Sequence, residues 1–216
     1  MIRAEAAAHF DAAFRDRLQE LLRWRRDVRH FRRDPVDPEL IGYLLDLACL
    51  APSVGHSQPW RFVLVDSPAA RAAVRANFLA CNEAALAAYE GERAELYARL
   101  KLAGLDEAPV HLAVFCDHDT RSGLGLGRRT MPEMLPYSVV TAVHTLWLAA
   151  RAHGLGLGWV SILDPARLRA DLDVPPAWQL VAYLCLGYPE AEHDRPELER
   201  VGWQQVDPAA RAVLRR

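Results

Sequence analysis

The sequence predicts a single domain of mixed α and β structure over residues 1–216. Half of the residues are apolar, so a chain of 216 residues can bury a substantial core without a second domain. Helix-like and strand-like segments alternate along the chain, but the crossover lengths between them do not repeat as a doubly wound sheet requires. The pattern therefore favours an irregular α/β arrangement over a nucleotide-binding fold of regular repeats.

Each element has its own sequence signal. Apolar residues at helical spacing predict helices at 10–24, 38–50 and 69–102, the last interrupted at Gly91. A nearly all-apolar helix is predicted at 135–153 and ends at Gly154, which fits either a monomer core or a dimer interface. Short apolar runs predict strands at 62–65, 111–116, 159–163 and 180–186. Residues 1–8 are expected to be flexible, and 69–102 is the candidate lid.

Net charge, apolar stretches and cysteine spacing exclude several classes of protein. A formal charge of −2 argues against a general nucleic-acid binder, so the arginines are expected to act locally. Residues 139–150 form the longest apolar stretch, which is too short to span a bilayer, and the N-terminus lacks a long apolar signal region. The four cysteines form no Cys-x-x-Cys pair. A cytoplasmic location is the expectation.

An arginine-rich stretch at residues 25–31, called here the arginine segment, follows the first predicted helix. Arg25, Arg26 and Arg29 carry planar, permanently charged groups that suit phosphate oxygens, and Asp27 lies among them as an acid. The alternative interpretation is a solvated basic helix end with local ion pairs.

A second segment, residues 51–62, is typical of a loop that leads into a strand. Pro52 fixes a backbone angle, Gly55 permits a tight bend, and Ser53, Ser57 and Gln58 offer polar side chains. Turn chemistry around a core tryptophan would account for the same residues.

Other motifs point to no established site. The glycine runs 123–127 and 154–158 lack the spacing and the strand-to-helix order of a dinucleotide-binding turn. Asp117, His118 and Asp119 have no second ligand cluster at metal-site spacing, and no nucleophile elbow is present. No metal is implied.

Taken together, the arginine segment and residues 51–62 resemble the flavin nitroreductase superfamily, in which both motifs hold flavin mononucleotide (FMN). Within it, the chain is most similar to the branch of 5,6-dimethylbenzimidazole synthases, because Asp27 stands where ordinary nitroreductases usually carry serine. Residues 101–109, 125–134 and 156–163 continue this resemblance, which spans about 22–203. It implies an α+β fold with a central mixed sheet flanked by helices, and an intertwined homodimer with two flavin sites at its interface.

The resemblance also implies roles for individual residues. Arg25, Arg26, Asp27 and Arg29 would contact FMN, as would Pro52, Ser53, His56 and Ser57, although His56 departs from the aromatic residue expected there. The Ser161-Ile162 segment would pass over the flavin ring, with Ser161 important for the chemistry. Arg200 resembles the C-terminal basic residue that reaches the phosphate.

The implied reaction consumes reduced FMN as a substrate, with dioxygen as co-substrate, and releases the dimethylbenzene part of the ring as 5,6-dimethylbenzimidazole, the lower ligand of vitamin B12. Asp27 would act as acid and base, and Ser161 with its neighbouring amide would stabilise charge near flavin N5. A separate flavin reductase is a candidate partner. Two alternatives remain open at this point: an NAD(P)H-dependent nitroreductase or flavin reductase, and a non-catalytic flavin-binding protein.

Overall fold

A four-stranded antiparallel sheet forms the centre of the protein. In the computed structural model, which describes residues 8–100 and 103–216, the strands are β1 (Trp60–Leu64), β2 (Val110–Asp117), β3 (Gly156–Val160) and β4 (Trp178–Gly187). Their spatial order is β1-β2-β4-β3, and all three pairings are antiparallel. The resemblance implied a mixed sheet. Asp27 supplies a parallel element, because it forms an isolated parallel bridge with Leu157 at the free edge of β3. The predicted α+β class is confirmed.

Helices cover both faces of this sheet. They are α1 (Ala12–Trp24), α2 (Pro38–Ala48), α3 (Pro68–Leu86), α4 (Gly91–Arg99), α5 (Gly104–Glu107), α6 (Met134–Ala152), α7 (Pro165–Asp171) and α8 (Glu197–Arg200), with 3-10 turns at Val54–His56, Ser122–Gly125 and Pro208–Ala210. Asp37, Ser67 and Asp164 cap α2, α3 and α7, each followed directly by proline, so these starts combine a side-chain acceptor with a preset backbone angle. The four longest predicted helices are confirmed, and the predicted break at Gly91 separates α3 from α4.

The core lies in two layers, one on each side of the sheet. One layer packs α6 and α2 against the sheet, and the other packs α3, α5 and α7 on the opposite face together with Phe31. Helix α6 buries Leu135, Val139, Val143 and Leu146 within its own chain, while Tyr137 is half exposed on another face. One face of α6 therefore belongs to the core of its own chain, which is one of the two alternatives that the sequence left open.

Helix α1 behaves differently, because none of its residues is buried. Phe10, Phe14, Leu18 and Leu22 follow one another at a spacing of four residues and are all exposed. An apolar stripe of this kind on a helix surface is typical of a face that another molecule covers. Among the described residues, none of the helices combines the length and apolarity that crossing a membrane requires.

The third strand begins earlier than its sequence predicts. The predicted strand at 159–163 is wrong in its bounds: β3 covers Gly156–Val160, so Ser161 and Ile162 follow the strand. Glycines at its start obscured the strand signal, yet two of them are needed there. A Cβ at Gly158 would overlap the Val28 carbonyl oxygen, and one at Gly156 would come within 2.7 Å of the Val28 side chain. The arginine segment can approach β3 only because these side chains are absent.

Two segments predicted from the sequence, the flexible N-terminus and the lid, lie almost wholly or partly outside the described residues. The expected flexible N-terminus at 1–8 lies almost wholly outside the described residues, and Lys101 and Leu102 of the candidate lid lie outside them as well. Within the lid region, Tyr89 and Tyr97 stack with ring centroids 4.9 Å apart, and Trp203 meets the Tyr89 ring edge-on at 5.6 Å. The lid itself stays a prediction.

A buried histidine makes stability depend on pH. His111 is 1% exposed, and its Nδ1 lies 2.8 Å from the Tyr183 hydroxyl. Burial, followed by the nearby charge of Arg71, lowers the pKa of His111 to about 4. The unfolded chain binds this proton near pH 6.5, so the stability contributed by the neutral histidine is present above pH 6.5 and lost as the pH falls toward 4.

We expect the free energy of unfolding of the parent protein to fall by up to ~3 kcal/mol more than that of His111→Gln between pH 7 and pH 4. Urea denaturation at several pH values measures this difference. His9→Gln is the control, because His9 is exposed and its replacement should leave the pH dependence unchanged. Parallel curves for the parent and His111→Gln would contradict the assignment.

Candidate functional site

A cleft of about 310 Å³ opens beside the free edge of β3. Its walls come from Trp24, residues 26–30, the start of β3, one side of α6, and the C-terminal stretch 189–201, whereas Arg25, Ser161 and Ile162 do not line it. Arg26, Asp27, Arg29 and Arg200 all line it, so the structure brings four of the predicted site residues together. The volume lies within the range of small-molecule sites.

Asp27 is held at this edge by both of its carboxylate oxygens. Oδ1 accepts a hydrogen bond from the Trp159 backbone N–H at 3.0 Å, and Oδ2 accepts one from Arg29 Nε at 3.3 Å. The backbone N–H of Val28 donates to the Leu157 carbonyl at 3.1 Å, which fixes the segment on β3. The Asp27 side chain remains 38% exposed, so its carboxylate is oriented and still accessible for proton transfer.

Ser161 and Ile162 lie at the same edge of the sheet. Ser161 follows the last residue of β3 and is exposed, and its hydroxyl has no hydrogen-bond partner among the described residues. It is two residues beyond Trp159, which corresponds to about 7 Å along an extended chain. The two residues predicted to be catalytic, Asp27 and Ser161, are thus neighbours along one strand edge.

The arginines of the segment are engaged in different ways. The Arg25 guanidinium lies over the Trp147 ring, 4.7 Å from its centroid, and burial lowers the pKa of Arg25, with the charge of Arg26 as the second cause. Arg26 donates from Nε and Nη2 to the Asp194 carbonyl and from Nη1 to the Arg25 carbonyl. Arg26 therefore joins the segment to the C-terminal stretch.

Arg29 and Arg200 differ in how much of their charge is neutralised. Arg29 Nε lies 3.3 Å from Asp27 and 3.8 Å from Glu197, and its side chain is only 13% exposed. Arg200, at the end of α8, is exposed, and its guanidinium forms no ion pair among the described residues. Of the arginines predicted to bind phosphate, Arg200 is thus available to an anion without first breaking an internal contact.

Residues 52–57, called here the 52–57 loop, form a rigid turn. The Val54 N–H donates to Ser138 Oγ at 3.0 Å, the Thr141 hydroxyl donates to the Pro52 carbonyl at 2.9 Å, and Ser53 Oγ accepts from the Gln58 N–H. Ser57 is buried, and within the described chain its hydroxyl has no partner. The side chain of His56 pairs with that of Gln58, with the two nitrogens 3.1 Å apart.

The backbone of this loop is strained. Gly55 and His56 in the loop have φ values of 54° and 57°, and Gln58 directly after it has a φ of 46°. Residues other than glycine rarely adopt such positive φ values. Gly55 has no alternative, because a Cβ there would lie 2.7 Å from the Leu126 carbonyl oxygen. Strain of this kind is concentrated at functional sites, where the surrounding contacts maintain it.

The 52–57 loop and the arginine segment do not meet within one chain. The loop leads into β1 at one edge of the sheet, whereas Asp27 bridges to β3 at the other edge, with β2 and β4 between them. Three strand spacings separate the two edges by about 14 Å. Pro52, Ser53, His56 and Ser57 therefore line no part of the cleft in their own chain.

Several residues of the cleft were not predicted from the sequence. Trp147 donates from its indole nitrogen to the Arg26 carbonyl at 3.2 Å, and Glu197 contacts Arg29. Arg151 forms two 2.7 Å bonds to Glu192 on the cleft wall. Sequence offers no signal for these long-range pairs, because each joins residues more than 40 positions apart. No residue described between 69 and 100 lines the cleft.

Comparison with known proteins identifies the family to which this chain belongs. A family model described as the Nitroreductase family matches residues 22–188. A 5,6-dimethylbenzimidazole synthase of Rhodospirillum rubrum is 61% identical, with 92% of this chain and 94% of that protein covered. One from Rhodobacter capsulatus is 55% identical, with 91% and 95% covered.

A solved structure of similar fold is that of oxidized iodotyrosine deiodinase bound to FMN and 3-iodo-L-tyrosine. It superposes with a TM-score of 0.70 over 92% of this chain and 97% of that one, at 24% identity. Its likeness extends to the fold, whereas the two synthases match this chain along nearly its whole length at high identity. The chain belongs to the nitroreductase family and, within it, to the branch of the 5,6-dimethylbenzimidazole synthases.

Proposed function

We propose that the protein forms 5,6-dimethylbenzimidazole, the lower ligand of vitamin B12, by oxygen-dependent fragmentation of reduced FMN. The observation that carries the proposal is Asp27, a carboxylate fixed by the Trp159 N–H and Arg29 and exposed to the cleft. A conventional flavin reductase has no evident use for an acid there. The name of the two relatives, 5,6-dimethylbenzimidazole synthase, supports formation of the same product.

The residues at the cleft fit an FMN ligand. Arg26, Arg29 and Arg200 line the cleft and supply the positive charge that a phosphate needs, with Arg25 next to them in the chain and Ile162 beyond the end of β3 as further contacts outside its lining. When bound, reduced FMN supplies the electrons that dioxygen accepts and the ring from which the product is cut.

The chain's own residues then have distinct tasks. Asp27 takes a proton from the ring-bearing substrate and returns it, while the Trp159 N–H keeps one carboxylate oxygen in a fixed direction. The Ser161 hydroxyl and the neighbouring backbone amide donate hydrogen bonds to charge that develops near flavin N5. Arginine contacts hold the phosphate, so that the ring stays in one position during several bond changes.

The site is completed by a second copy of the chain in a homodimer. The 52–57 loop is strained, contains the buried Ser57 hydroxyl, and lies four strand spacings, about 19 Å, across the sheet from Asp27. Exposed apolar residues on α1 and near the loop, including Leu124 and Leu126, provide surface for association. In this arrangement Pro52, Ser53, His56 and Ser57 of one protomer face the flavin held by Asp27 of its partner.

Mixed dimers test this division of the site. Asp27→Asn removes the proton-transfer group from one edge, and Gly55→Val deforms the loop at the other edge, so each homodimer should be inactive. A mixed dimer contains one site with both edges intact, and we expect roughly half of the parent activity. Absence of recovery, with dimers verified by sedimentation, would show that the loop does not act across the interface.

Arg200 provides a test of phosphate binding. We expect Arg200→Met to weaken FMN binding by ~1.5 to 3 kcal/mol, the scale of a charged hydrogen bond, and to leave riboflavin binding unchanged. Calorimetry with both ligands measures the difference. Arg75→Met is the control, because Arg75 pairs with Asp106 at a distant surface. Equal losses for FMN and riboflavin would remove Arg200 from the phosphate site.

The reaction itself is tested by chromatography of products after protein and excess reduced FMN are exposed to air. We expect 5,6-dimethylbenzimidazole to appear and flavin to be lost, with neither change in a sample kept anaerobic. Steady NAD(P)H oxidation without loss of flavin would identify a nitroreductase or flavin reductase, and reoxidised intact flavin would identify a binding protein. Addition of a separate flavin reductase with NADH should sustain product formation, because the proposed reaction consumes reduced flavin at every turnover.

A further inference from the structure

A third charged group adjoins the pair formed by Asp27 and Arg29. Glu197 Oε2 lies 3.8 Å from Arg29 Nε, the same nitrogen that donates to Asp27 Oδ2 at 3.3 Å. One cation thus stands between two carboxylates. The side chains are only partly open to water, with Arg29 13% and Glu197 21% exposed, so solvent screens these interactions less than it screens a surface ion pair.

The position of Glu197 is fixed by the chain around it. The stretch that carries it is joined to the arginine segment by the two bonds from Arg26 to the Asp194 carbonyl and by the Glu190 N–H bond to the His30 carbonyl. Glu197 is also the first residue of α8, directly after Pro196. Its carboxylate is therefore presented to Arg29 by a secured backbone.

We infer that Glu197 is a positioning residue for Asp27, acting through Arg29. By sharing the Arg29 guanidinium, Glu197 holds Arg29 between the two carboxylates, so Asp27 keeps the orientation in which it exchanges a proton with the substrate. Without the Glu197 charge, the Arg29 guanidinium is held from one side only, and the contact to Asp27 Oδ2 at 3.3 Å loses its fixed partner. This role rests on the proposed function, because it concerns proton transfer in the same reaction.

Glu197→Gln tests the inference, since it keeps the shape of the side chain and removes its charge. We expect the rate of product formation under saturating reduced FMN to fall ~10-fold, a fraction of a general-base contribution, with the FMN dissociation constant changed less than twofold. Glu199→Gln is the matched control: it lies in the same short helix, pairs with Arg195 2.8 Å away, and should react at the parent rate. A Glu197→Gln rate equal to that of the parent would overturn the inference.

Two further measurements separate positioning from a merely structural effect. In the Asp27→Asn background, Glu197→Gln should cause no additional loss, because the group it acts on is gone, whereas additive losses would overturn the inference. In the ligand-free protein, the NMR resonance of Arg29 Nε should shift in Glu197→Gln and stay in place in Glu199→Gln. An unmoved resonance would show that the contact is not formed. If the parent makes no product, the proposed function fails first, and the NMR result still reports on the contact.

Discussion

Asp27→Asn is expected to bind FMN as tightly as the parent protein does and to form product at least ~100-fold more slowly, the low end of general acid-base contributions. Asparagine has the size of aspartate, and its carbonyl oxygen can still accept the Trp159 N–H that Asp27 Oδ1 accepts at 3.0 Å. The segment should therefore remain on β3. What is lost is the ability to take and return a proton, together with the bond from Arg29 Nε to Asp27 Oδ2.

Stopped-flow mixing with air and product chromatography measure the rate of product formation, and calorimetric titration measures FMN binding. Asp16→Asn serves as the control, because Asp16 is an exposed carboxylate on α1, away from the cleft. An Asp27→Asn protein with the product yield and rate of the parent would remove Asp27 from the mechanism and leave the arginine segment as a binding element.

The second large effect is expected from Gly158→Ala. The added methyl group would overlap the Val28 carbonyl oxygen, which is backbone and cannot turn aside. Residues 26–29 would have to leave β3, and the hydrogen bond from the Trp159 N–H to Asp27 would be broken. We expect the free energy of unfolding to fall by about 2 to 3 kcal/mol, with FMN affinity at least ~10-fold weaker and product formation lost.

Urea denaturation and FMN titration measure these changes in the same preparation. Gly42→Ala is the matched control, because a Cβ at that helical glycine meets nothing within 4 Å. An alanine in the helix interior should raise stability by roughly 0.5 to 1 kcal/mol and leave binding unchanged. Wild-type affinity in Gly158→Ala would mean that the close approach of Val28 to β3 is not needed to form the site.

Local signals account for the parts of the fold that could be predicted. The four long helices follow from apolar spacing, and the chemistry of the arginine segment follows from its residue types. The bounds of β3 could not be predicted, because its glycines are explained by the approach of Val28 and not by any local preference. Short helices such as α8 give too few residues for a period to be recognised.

Contacts between distant parts of the chain could not be predicted either, because no local sequence pattern encodes them. The strand order β1-β2-β4-β3 depends on long-range pairing, and it alone reveals that the 52–57 loop and Asp27 lie at opposite edges. Glu197 is one of 28 acidic residues, and only its placement beside Arg29 distinguishes it from the others. The residue types indicated the chemistry of the site, but they did not indicate how the residues are arranged in space.

In the proposed homodimer, the two halves of each site come from opposite sheet edges of two protomers, which links catalysis to mass action. In that arrangement the Asp27 edge and the loop edge of one protomer serve two different sites, so the concentration of complete sites follows the concentration of dimer. Specific activity should therefore decline as the protein is diluted below its dimer dissociation constant. FMN, by binding across the junction, should in turn draw separated protomers together and raise the temperature at which they unfold.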